Sequence, residues 1–153
     1  METSTFIVLF VILAACTHAT GGADSPAHLV ERFVAGFNHL DADEMNALFA
    51  EDATAYLPLS DKATRVEGRQ AILSVLTPMF AAERERHQGP DYLHLKVTDL
   101  GIQLVGSTAV ATFDVGTSEV HSRRTLVIAR RHGTWRIIHL HASNLRVPVA
   151  TAN

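Results

Sequence analysis

With 153 residues, the chain fits one domain and can bury a core without a disulfide or a structural metal. An apolar share of 47% against 19% charged residues excludes a disordered or fibrous class. A net charge of −3 with no basic run excludes nucleic acid as a partner, and the single cysteine, Cys16, excludes an internal disulfide.

The chain opens on METST, which carries Glu2 and no Lys or Arg, followed by the unbroken apolar run FIVLFVILAA over 6–15. That run is too short to span a bilayer, which needs about 20 residues, but it has the length of the apolar region of an export signal. Leu13, Ala14, Ala15 and Cys16 resemble the bacterial lipobox, in which the cysteine is acylated and becomes the new N-terminus. The resemblance implies a signal peptide over 1–15, lipidation of Cys16 and a tether over 16–25. Thr17 in place of aspartate then implies an anchor at the outer membrane, in the periplasm or cell envelope. A plain signal cut after Ala15 or Ala19 is the alternative.

Ser25 and Pro26 open a first helix, serine as cap and proline where its missing N–H costs nothing. Leu29, Phe33, Phe37 and Leu40 follow at helical spacing, widened by Val30 and Val34. The run Asp41, Ala42, Asp43, Glu44 has the form of a capping box and predicts a short second helix with Met45, Leu48 and Phe49 as its apolar face. Residues 53–59 read as a strand containing Tyr56, and 60–67 as a polar loop. Gly68 leads into a third helix with Ile72, Val75, Leu76, Met79 and Phe80, which Pro78 is expected to break or kink. Residues 83–86 read as a charged, solvated stretch and 87–91 as a loop.

Four strands are predicted over 92–105, 108–119, 123–131 and 135–143, with turns at Gly106 and Gly133 and a bulge at Gly101. Helices first and an antiparallel meander last predict an α+β fold, with helices on one face of a bent sheet. Alternation sorts the faces. Arg124, Leu126 and Ile128 share one face of their strand. Ala109, Ala111, Phe113 and Val115 are apolar on theirs, opposite Thr112 and Asp114. Strict alternation in the last strand groups Ile138, Leu140 and Ala142, opposite Trp135, Ile137, His139 and His141.

LFAEDA over 48–53, GRQAI over 68–72 and RRHGTWRIIHLHAS over 130–143, in this order, resemble the NTF2-like superfamily, in particular its SnoaL-like and DUF4440-like members. The last stretch is also similar to the end of the association domain of calcium/calmodulin-dependent protein kinase II. The resemblance implies an NTF2-like cone over 26–148, with a tail over 149–153. In such a cone a strongly curved antiparallel sheet wraps the N-terminal helices, a pocket opens at the wide end, and homodimers form through the outer sheet face. The fold hosts isomerases, dehydratases, cyclases, ligand binders and oligomer hubs, so it does not by itself assign an activity.

The candidate pocket residues are Arg124, Leu126, Ile128, Ile138, Leu140 and Phe113, an aliphatic lining with one cation suited to a small, largely apolar ligand with an acidic group. Tyr56, Asp114 and His141 are the candidate catalytic groups, with Asp114 or His141 as base and Tyr56 as proton donor. His139 and His141, at i and i+2 on a strand, stand about 6–7 Å apart on one face and can act as an acid–base pair or as two metal ligands. No third ligand shares their spacing, so no metal and no cofactor is expected. Three functions stay open: a lipid-anchored binder of a small ligand, a cofactor-independent acid–base enzyme, and an oligomeric interaction module.

Overall fold

The computed structural model describes residues 24–58, 65–116 and 121–145. Cys16, the expected export signal, most of the expected tether, the greater part of the 60–67 loop and the 149–153 tail lie outside the described residues.

Helix α1, Pro26–His39, begins as its sequence predicts: the Ser25 hydroxyl accepts the His28 N–H at 3.1 Å and Pro26 fills the first turn. It ends on Leu40 in the left-handed conformation (φ 55°), whose carbonyl accepts a 2.6 Å bond from Arg84 Nη2. Helix α2, Ala42–Leu48, is capped by Asp41, which accepts the Glu44 N–H at 2.9 Å. The other half of the capping box is absent. Glu44 grips Arg32 of α1 instead, at 2.7 and 3.1 Å, so the motif joins two helices rather than closing one. Gly36 eases the close crossing, because a Cβ there would overlap the tip of the Met45 side chain and press on Glu44 Cγ at 3.3 Å.

Strand β1, Phe49–Tyr56, follows α2 without a linker and so starts earlier than the predicted 53–59. A two-residue strand β2, Val66–Glu67, precedes helix α3, Arg69–Arg86. Pro78 does not end α3. Both Pro78 and Ser74, whose carbonyl loses its partner to the proline, face solvent, so water can take the unmade bond and the helix continues through the charged stretch 83–86. Strands β3 (Lys96–Val105), β4 (Thr108–Gly116), β5 (His121–Arg131) and β6 (Thr134–Leu145) complete one sheet in the order β2-β1-β6-β5-β4-β3. Every pairing is antiparallel except β1 with β6, which is parallel. The expected irregularity at Gly101 is present as a register shift between Thr98 and Gly101.

A second shift decides what faces inward. Val127 pairs with His139 and Ile128 with Ile137, so Ile138 is an extra residue in β6. Strict alternation therefore fails there: Ile137 is fully buried with Leu140 and Ala142, and Ile138 leaves the inner row. The inner face carries Ala109, Ala111, Phe113 and Val115 of β4, Leu126 and Ile128 of β5, and Ala53 and Ala55 of β1. It packs on α1 and α3 through Phe33, Phe49, Phe80 and Leu76, all at most 2% exposed.

Candidate functional site

Arg124 takes its position from β5 pairing. It lies between Phe113 of β4 and Ala142 of β6 and projects inward with them. Its guanidinium reaches a cleft whose other walls are Phe33, Val34 and Phe37 of α1, Leu95 and Val115. Burial holds the guanidinium below its ordinary pKa. Among the described residues no carboxylate stands within 4.0 Å of it, and its Nη1 donates only to the Arg123 carbonyl, at 3.0 Å. An inward-facing cation without a counter-charge among the described residues thus marks the cone interior.

The cleft is small. Its free volume is about 20 Å³, room for roughly one water molecule. The aromatic rings fill the rest: Phe33 stacks edge-on to Phe49 and Phe113, and Phe37 to Phe80. One wall is an irregular segment that enters β3. Asn38 clamps it to α1, donating from Nδ2 to the Leu95 carbonyl at 3.1 Å and accepting the Leu95 N–H at 2.7 Å, while the Tyr92 N–H donates to the Asn38 carbonyl. His39 Nε2 adds a 2.9 Å contact to Asp91.

Of the six pocket residues expected from the sequence, Arg124 alone lines this cleft. Leu126, Ile128, Leu140 and Phe113 are packed solid in the core beneath it, and Ile138, displaced from the inner row by the bulge, is half-buried against the edge of the core. Sequence reasoning missed Phe37, Leu95 and the Asn38 clamp. The Phe37 position was legible in the α1 stripe; no local signal marks Asn38, whose partner is far away in the chain.

The expected catalytic groups stand on the opposite, outer face. Tyr56 pairs in register with His141, and its ring centroid lies 5.7 Å from His141 and 6.0 Å from His139. Thr54 Oγ1 and His139 Nδ1 share a 2.7 Å hydrogen bond. Burial, then the charges of His141 and Arg65, hold His139 below its ordinary pKa. Asp114 is on the same face but apart, paired across β4–β5 with Arg123, their charged atoms 4.0 Å apart. The structure thus joins Tyr56 with the two histidines and separates all three from Asp114 and from Arg124. Among the described residues no group of three or more His, Cys, Asp or Glu side chains is arranged to hold a metal ion. No described helix is long and apolar enough to cross a membrane.

This architecture has solved counterparts. An NTF2-like protein of unknown function from Pseudomonas putida matches 76% of this chain and 82% of its own at 22% identity, with a TM-score of 0.63. The CaMKII hub of S. rosetta matches 78% and 93% at 17% identity (TM-score 0.62). A candidate ketosteroid isomerase from Parabacteroides distasonis matches 78% and 87% at 22% identity (TM-score 0.57). None of the curated proteins compared matches the chain. Residues 27–149 match the family model of the SnoaL-like domain, and the curved six-stranded sheet over three helices is that of its NTF2-like relatives. The chain therefore belongs to the SnoaL-like domain family.

Proposed function

We propose that this chain is an exported SnoaL-like domain, lipid-anchored through Cys16, that binds a small, largely apolar molecule with an acidic group at the mouth of its cone. One observation carries the reading: Arg124 faces inward among apolar side chains with no carboxylate at salt-bridge distance among the described residues. A cation held there is unfavourable unless a ligand completes it. The cleft as it stands is too small for a ligand, so binding moves the segment held by Asn38 and opens the wall at Leu95 and Phe37.

The test is thermal stabilisation of the full chain by straight-chain fatty acids against the matching alcohols. Acids should raise the melting temperature, alcohols should not, and Arg124→Met should remove the difference. Equal responses from acids and alcohols, or none from either, would sink the reading. For the anchor, cells fed labelled palmitate should label the wild-type chain and not Cys16→Ser.

A second reading, an interaction module that assembles through its outer face, is favoured by the nearly filled cone. An acid–base enzyme working inside the cone finds less support. The residues lining the cleft with Arg124 are all apolar, and Tyr56, Asp114 and His141 face away from it.

A further inference from the structure

A larger opening, of about 480 Å³, lies at the other end of β5 from Arg124, roughly 23 Å away at the strand rise of about 3.3 Å per residue. It sits where β1 and β6 lose register, between Phe49 and Thr54, so it belongs to a break in the sheet and not to the cone interior. Arg69, the first residue of α3, and Arg131 and Arg136, which flank the β5–β6 turn, line it together with Glu51, Asp52 and His132.

The three guanidinium groups are incompletely used. Arg69 Nε is buried and has no hydrogen-bond partner among the described residues. Its Nη2 stands 3.6 Å from Glu51 Oε1, and Arg131 Nη2 stands 3.8 Å from Asp52 Oδ2, both beyond hydrogen-bond length. Arg136 is fixed from behind, its Nη1 donating to the Ala47 carbonyl. Three cations against two carboxylates leave the opening cationic. Both carboxylates are on the rim, at 89% and 73% side-chain exposure, free to turn towards donors on a ligand. A buried guanidinium N–H without an acceptor is unfavourable, and a guanidinium fork matches the paired oxygens of a carboxylate or a phosphate.

We infer that this opening binds the carboxylate or phosphate group of a small polar molecule. Arg69, Arg131 and Arg136 take the oxyanion, and Glu51 and Asp52 accept from hydroxyl or amino groups on the rest of the molecule. The inference is independent of the cone-mouth reading, which concerns an apolar cleft and another arginine.

The experiment follows the arginine Nε–Hε signals of the full chain by nuclear magnetic resonance during titration with sodium phosphate, sodium acetate and sodium chloride. A saturable shift of the Arg69 signal is expected with phosphate or acetate and not with chloride, and the salt that saturates identifies the oxyanion. Arg69→Gln and Arg131→Gln should each weaken binding by about ten-fold, equivalent to about 1.4 kcal/mol. Arg123→Gln, on the outer face, should leave it unchanged. Arg131 is half-exposed, so its variant carries the test if Arg69→Gln fails to fold. The same unsaturated drift in all three salts, or an Arg131→Gln protein that is folded and titrates like wild type, overturns the proposal.

Discussion

Among the described residues, Arg124 and His139 are the two side chains whose pKa the fold lowers, and each predicts a measurable consequence. Replacing Arg124 with methionine keeps the aliphatic stem and removes from an apolar wall a charge that no carboxylate among the described residues balances. The unliganded protein should become more stable by about 1 kcal/mol in urea unfolding while it loses its response to acidic ligands. A loss of stability in that variant would mean that Arg124 is paired in the native state. His139 works through protons. Its folded pKa lies below its ordinary value of 6.5, so the unfolded chain binds more protons at this site. His139 therefore stabilises the fold above about pH 6.5, and that contribution is lost as pH falls through the folded value. Comparing wild type with His139→Gln between about pH 8 and pH 5 should show a shallower decline in the variant. Parallel curves would remove His139 from the account.

At the scale of elements, the clamp and the proline invite opposite tests. Asn38→Ala removes both side-chain bonds that hold Leu95 and leaves its backbone groups without these partners. It should cost about 1–3 kcal/mol and speed amide exchange in the segment leading into β3. Pro78→Ala restores a helix hydrogen bond on the exposed side of α3 and should stabilise by about 1–2 kcal/mol, read from the urea midpoint. The difference between these sites also shows what the sequence discloses. The start of helix α1 was legible to the residue, because its cap, its proline and its apolar stripe are all local. The course of α3 through Pro78 was not, because continuation depends on which side of the helix meets water. Inward placement of Leu126, Ile128 and Phe113 followed from alternation, yet the same rule misplaced Ile138, since a bulge is a property of the pair of strands and not of one. The cleft was legible only at Arg124 and the aromatic stripe of α1. Its narrowness comes from five phenylalanine rings meeting from α1, β1, α3 and β4, a sum that no single segment displays.

For the whole molecule, the sheet leaves β3 as a long outer edge carrying Leu100, Leu104 and Val105, the last 71% exposed. The convex face beside it presents Val110, Thr112, Thr125 and Val127 in cross-strand register, with Tyr56 and His141 at its far side. The homodimer that the family resemblance implies would pack through that face. Val127→Glu places a charge at the centre of the contact and should convert a dimer to a monomer in sedimentation without lowering the melting temperature of the isolated domain. A wild-type chain that already sediments as a monomer would remove that expectation. The bulge in β6 bears on how such domains diverge. Deleting Ile138 would restore regular alternation while leaving Ile137, Leu140 and Ala142 inside and His139 and His141 outside. What would change is the local twist, and with it the arc of the sheet around α1. A one-residue gain or loss at this point therefore changes how widely the cone opens while the inner row of β6 stays in place, giving up only the contacts that Ile138 itself makes at the edge of the core.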